Sequence, residues 1–226
     1  SGVYFYGSGE RDQITAGDIN RDIGAWATER VREDGTIIPR NTFVGDPVHP
    51  STTIGPVVNR TQFERIQGYI AKGIEEGARP VCGGPGRPSG LERGFYVKPT
   101  VFADVRPEMT IAREEIFGPV LSVITYRDDD EAVEIANGTP YGLGGYLSSA
   151  NLSRARAIGE RLRVGRVFVN GAPANTAAPL GGYKQSGNGR EMGVFGLEEY
   201  LEVKAMIGFL SRATPGDTLV GQACQA

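Results

Sequence analysis

Between residues 61 and 170 the chain alternates between two hydrophobic periods, and that alternation limits its fold more than any other feature. Phe63, Ile66, Ile70 and Ile74 fall on one helical face behind Thr61-Gln62-Phe63-Glu64, which reads as a capping box, and Gly77 ends the helix. Residues 79–83 (RPVCG) read as a short strand broken by Gly83-Gly84-Pro85-Gly86. Residues 96–105 (YVKPTVFADV) are strand-like, and Pro99 marks an edge or a bulge there. Residues 120–126 (VLSVITY) are nearly all β-formers and read as buried on both faces. Asp128 with Glu131 opens a helix running through Ala136, 143–148 returns as a strand, and 152–162 is a helix with Ala155, Ile158 and Leu162 inward. Residues 166–170 (RVFVN) form another strand. This order implies right-handed crossovers, so the expected fold is α/β: a mainly parallel sheet with helices on both faces. Upstream, residues 18–32 space Ile19, Ile23, Trp26 and Val31 as an amphipathic helix.

Composition excludes several classes. The 226 residues suffice for one large domain or two small ones, and 39 % apolar with 23 % charged residues is an ordinary globular mixture. A net charge of −3 with no basic block argues against nucleic acid. No apolar run approaches the ~20 residues of a membrane span, and the first residues lack the order of a signal peptide. Two cysteines and one histidine provide neither a disulfide framework nor a zinc cluster, so no metal site is expected and a reducing cytoplasm is the default location.

Four places invite chemistry. In residues 113–120 (REEIFGPV) the pair Glu114-Glu115 runs straight into Ile116-Phe117 and a Gly118-Pro119 turn. An isolated acidic pair is usually a solvated helix end, but sheet proteins bind ligands outside strand C-termini, in loops like this one, where glycine permits close backbone approach. His49, between prolines, has no evident orienting partner and reads as a loop residue. Cys82 reads as a small buried core residue rather than a reactive thiolate. Residues 181–190 (GGYKQSGNGR) match neither phosphate-loop pattern, so they read as a glycine-rich loop packed on other backbone, with Lys184 a structural or anion contact.

Taken together, ordered strings in the chain resemble the catalytic-domain half of the aldehyde dehydrogenase superfamily. They include VGDP from Val44, QFERIQGYIAKGIEEGA from Gln62, GFYVKPTVFADV from Gly94 and REEIFGPVLSV from Arg113, followed by IANGTPYGL from Ile135 and PLGGYKQSG from Pro179. The resemblance covers about residues 42–207 and implies a nicotinamide cofactor, NAD or NADP. It implies that Glu115 reaches the nicotinamide ribose and that Phe117 packs beside the ring. A carboxylate accepts from both ribose hydroxyls, and an aromatic edge keeps the ring dry and oriented. By the same carry-over, Gln62 and Arg65 lie on a helix that touches the adenosine side.

The departures shape the remaining expectations. The family oxidises an aldehyde to a carboxylic acid through a cysteine nucleophile, a thiohemiacetal, hydride transfer, and hydrolysis assisted by a glutamate base. Residues 1–13 contain no cysteine, and the resemblance puts the base and the dinucleotide-binding domain further upstream, so that domain is expected to be absent here. The expected organisation is a poorly matching segment over 1–41, an aldehyde dehydrogenase-like catalytic domain over 42–200, a candidate oligomerisation strand over 201–210 and a flexible tail over 211–226. Gly221-Gln222-Ala223-Cys224 fits the family's nucleophile string, as a circular permutation would produce; a chance match in a tail is the default, and Cys224 is the one catalytic candidate. The expected role is a truncated catalytic-domain segment acting on a small-molecule aldehyde, inactive alone. The alternatives are a non-catalytic oligomerisation module, assembling as a homo-oligomer, and one half of a split dehydrogenase with a complementary dinucleotide-binding chain.

Overall fold

A computed structural model of the chain describes residues 42–207 in full, and before them only the backbone of strands β1 (Gly2–Gly7), β2 (Glu29–Val31) and β3 (Ile37–Pro39). Helix α1 (Arg60–Glu75) leads into β4 (Arg79–Cys82), β5 (Thr100–Ala103), the one-turn α2 (Thr110–Arg113) and β6 (Val120–Tyr126). Then α3 (Asp129–Asn137), β7 (Gly144–Leu147), α4 (Leu152–Gly159), β8 (Arg166–Val169) and α5 (Gly193–Glu198) complete the order. The α/β alternation is present, but the strands divide among three sheets. A four-stranded sheet runs β1-β6-β5-β4, β7 pairs with β8, and β2 with β3. β6 is parallel to both its neighbours, β7 is parallel to β8, and β4 is antiparallel to β5. Strand period and order foretell neither the break between β6 and β7 nor the reversed edge, because pairing is decided by non-local contacts. Among the described residues no helix is long and apolar enough to cross a membrane.

Local chemistry explains the boundaries. The cap of α1 is Asn59, not Thr61: Asn59 is extended and its side-chain oxygen accepts from the Gln62 backbone N–H at 2.8 Å. Thr61 already lies inside the helix, whereas a cap must be non-helical. Gly77, at φ 94°, closes that end as expected. The buried stripe of α1 is Ile66, Ile70 and Gly73, with Ile74 41 % exposed, because a 3.6-residue turn carries position 74 off the core face. The irregularity expected at Pro99 lies across the ladder, where register shifts between Pro80 and Cys82, and β5 begins just after Pro99. Asp128 caps α3 by accepting from the Glu131 N–H at 2.9 Å. Residues 29–31, expected to end a helix, are strand β2; the rest of that segment lies outside the described residues.

One core joins α1, β5, α2 and β6: Ile66 and Ile70 of α1, Phe102 of β5, Ile111 of α2, Ile116 of the following turn and Val120 of β6 are all buried. Glu76 ties the two helices together. Its carboxylate accepts from the backbone N–H of Thr110 at 2.7 Å and from its hydroxyl at 2.6 Å, capping α2 where Met109 provides no side-chain cap. The Thr110 hydroxyl bond, with Lys72 and Arg106 nearby, holds the Glu76 carboxyl below its ordinary value. With the folded value depressed, this contribution is complete above the unfolded value and disappears as pH falls through the folded one. Glu76→Gln should therefore cost about 1–2 kcal/mol at neutral pH and progressively less below about pH 4. Urea midpoints at several pH values test this, and a loss that does not shrink on acidification refutes it.

Candidate functional site

The segment after α2 turns inward and outward by residue. Ile116 is 2 % exposed and anchors the turn in the core, while Phe117 is 63 % exposed and Glu115 is half-buried. Phe117 has φ 53°, a left-handed conformation uncommon for a bulky side chain. Gly118 lies directly over Ile66: a Cβ there would meet the Ile66 Cδ1 at 2.6 Å. Pro119 then passes its carbonyl to the Thr100 N–H at 2.9 Å, joining the turn to the strand pair β5–β6.

One stripe of α1 holds this turn. The Gln62 side-chain amide donates to the carbonyls of Ile116 at 3.0 Å and Phe117 at 2.9 Å. The Arg65 guanidinium donates to the Glu115 carbonyl at 3.0 Å and to the Tyr69 hydroxyl at 3.3 Å, which raises the Arg65 pKa further above its ordinary value. The Tyr69 hydroxyl in turn donates to the Glu114 carboxylate at 2.7 Å. Residues 62, 65, 66 and 69 follow the i, i+3, i+4, i+7 pattern of a single face. The acidic pair is thereby divided. Glu114 is committed to the helix, whereas the Glu115 carboxylate takes no hydrogen bond or ion pair among the described residues.

The four residues expected at a cofactor, Gln62, Arg65, Glu115 and Phe117, thus stand together, although the first two grip the turn's backbone. The Phe117 side chain itself is largely exposed. Glu114, the other half of the acidic pair, and Tyr69 complete the arrangement; Tyr69 was not singled out by sequence, and its place two helical turns after Gln62 is the one signal that could have found it. The remaining candidates resolve differently. Cys82 is buried and its thiol is pushed up to about 11 by desolvation, as an inert core residue requires. His49 is exposed in a loop, its Nδ1 accepting from the Ser51 N–H at 3.2 Å. Lys184 donates to the carbonyls of Asn137 at 2.8 Å and Thr139 at 3.0 Å, a structural contact. Cys224 lies outside the described residues. Residues 201–207 form no helix or strand, with Val203 96 % and Ile207 97 % exposed, and 208–210 lie outside the described residues. Among the described residues no group of three or more His, Cys, Asp or Glu could hold a metal ion.

This α/β arrangement has counterparts among dehydrogenases. The chain belongs to the aldehyde dehydrogenase family, whose family model matches residues 32–206. It is 54 % identical over 170 residues to a 3-succinoylsemialdehyde-pyridine dehydrogenase of a Pseudomonas species, an alignment covering 75 % of this chain and 36 % of the relative. Among solved structures, an aldehyde dehydrogenase C variant from Pseudomonas syringae in complex with NAD+ and octanal matches at TM-score 0.74 and 54 % identity, over 77 % of this chain and 36 % of that one. A Mycobacterium tuberculosis aldehyde dehydrogenase in complex with NAD+ matches at TM-score 0.70 and 46 % identity, over 75 % of this chain and 36 % of that one. The chain therefore spans about a third of the length of the curated relatives it matches.

Proposed function

We propose that this chain forms a catalytic-domain portion of an NAD(P)-dependent aldehyde dehydrogenase, oxidising an aldehyde to a carboxylic acid, with Glu115 and Phe117 at the nicotinamide end of the cofactor. The observation that carries this reading is the pairing of an uncommitted carboxylate with an exposed ring on a turn fixed from behind. When bound, the nicotinamide accepts the hydride. The chain's residues hold it: Glu115 accepts from the ribose hydroxyls, and Phe117 lies against the ring and excludes water from that side. Arg65, exposed along α1, keeps the adenosine-side contact, and Gln62 reaches that side less readily because its amide is committed to two carbonyls. Both solved relatives above carry NAD+, which favours NAD over NADP.

No thiol among the described residues is placed to attack an aldehyde, since Cys82 is buried and held protonated. The 226-residue chain alone should accordingly give no steady NADH from NAD+ and a panel of aldehydes. Steady production that disappears in Cys224→Ala would assign Cys224 as nucleophile and overturn the expected inactivity. A complementary dinucleotide-binding chain, in the split-enzyme version, would co-purify from the native source.

A second reading rests on the exposed apolar run Leu201, Val203, Met206 and Ile207. Such a segment offers strand addition to another copy and makes the chain an assembly module. Light scattering after size-exclusion distinguishes the two: a dimer that dissociates in Val203→Pro supports assembly, and a monomer in both removes it.

A further inference from the structure

We propose that Gln62 is a positioning residue, clamping the 115–117 turn in the one conformation that presents Glu115 and Phe117 together. The inference rests on the cofactor reading above but concerns a different atom set. Gln62 donates to two successive carbonyls, those of Ile116 and Phe117, at 3.0 and 2.9 Å. Successive carbonyls of an extended strand point to opposite sides, so one amide reaches both only where the backbone reverses sharply. Phe117 supplies that reversal, at φ 53°. A phenylalanine stays in this region only where its surroundings over-determine it.

Several of the contacts that do so lie on the α1 side. Ile116 is buried, Gly118 touches Ile66, and the Glu115 carbonyl is held by Arg65. Of these contacts, only the Gln62 amide spans the residue with the left-handed backbone, bonding the carbonyl on each side of the Phe117 N–H. Its removal withdraws two hydrogen bonds from the turn that carries Glu115 and Phe117 and loosens the way the turn presents them. Gln62 acts through the backbone and need not touch the cofactor.

The test uses the 226-residue chain. Gln62→Glu keeps size and places an acid in the first turn of α1, where the helix dipole tolerates it, but removes both donors. Hydrogen–deuterium exchange over residues 114–121 should rise about five- to tenfold, as expected for losing local hydrogen bonds, with the melting temperature held. Gln62→Lys, which restores N–H donors, should recover protection. Saturation-transfer NMR with nicotinamide mononucleotide gives the second readout, with Glu115→Gln as reference. Loss of the nicotinamide signal in both Gln62→Glu and Glu115→Gln supports the clamp. Unchanged exchange in Gln62→Glu overturns it, as does an intact nicotinamide signal in Gln62→Glu when Glu115→Gln has lost it. A signal that no variant alters, or one absent from the unmodified chain, sinks the cofactor reading, and with it the presenting role, while exchange still decides whether the clamp exists.

Discussion

Gly165→Ala is expected to unfold the region carrying β7 and β8. Three backbone segments cross at this point. The Gly165 N–H donates to the Gly142 carbonyl at 3.1 Å, and the Tyr183 N–H donates to the same oxygen at 2.8 Å. A methyl group on Gly165 would lie on top of the Gly181 carbonyl oxygen. The clash is between backbone atoms, so no rotamer change relieves it; either the 181–190 loop leaves or the strand pair opens. Gly165 has no positive φ, so the requirement is for space and not for an unusual conformation. We expect a loss of about 4 kcal/mol or more, in the tail of the distribution for single substitutions. Gly144→Ala is the control, because a Cβ there meets nothing within 4 Å. Urea denaturation followed by circular dichroism compares the two, and equal midpoints for both variants would refute the crossing-point account.

What was legible follows from the range of each interaction. α1, β6 and α3 carry their own signals, a helical stripe, a β-branched run and an Asp128 cap, so a local reading finds them. The break between the sheet containing β6 and the β7–β8 pair depends on which strands meet, and no single strand records that. The glycine-rich loop was legible as packing: Lys184 and Arg190 spend their N–H groups on carbonyls, Arg190 on those of Gly182 at 3.2 Å and Gly189 at 2.6 Å. At the site, Glu115 and Phe117 stood out through a resemblance, as did Gln62 and Arg65. That the latter two hold carbonyls some fifty residues away left no trace in local pattern, because any residue supplies a carbonyl. Tyr69 went unnoticed for a related reason: on periodicity alone a tyrosine on a helix face reads as packing, and its hydroxyl gains meaning only once Glu114 is opposite.

Phe102→Ala is expected to be the most damaging substitution in the main core, and its neighbour explains why. Phe102 is 0 % exposed in β5, a strand flanked by β4 and β6, and its ring runs under α1 at Gly73. A Cβ on Gly73 would meet the Phe102 Cζ at 3.3 Å and the Ile111 Cδ1 at 2.9 Å. The ring therefore fills the volume that a side chain of α1 would otherwise occupy, and the helix has no atom there to follow it inward. Truncation leaves a cavity that cannot collapse, and such sites fall at the upper end of the range for phenylalanine, about 3–5 kcal/mol. Two variants separate this account from mere loss of apolar area. Gly73→Ala alone should destabilise by overpacking, yet in the Phe102→Leu background it should cost less, because the shorter side chain relieves the Phe102 contact while that with Ile111 remains. Strict additivity in the double-mutant cycle, read from urea midpoints, would show that ring and glycine do not share one volume. The outcome reaches the candidate site as well. Gly73 shares its helix with Gln62, Arg65 and Ile66, so a helix that loses its support at Gly73 holds the carbonyls of 115–117 less firmly. Exchange over 114–121 should rise in Phe102→Ala even under conditions where the domain remains folded, and protection should return with any second substitution that refills the volume beneath Gly73.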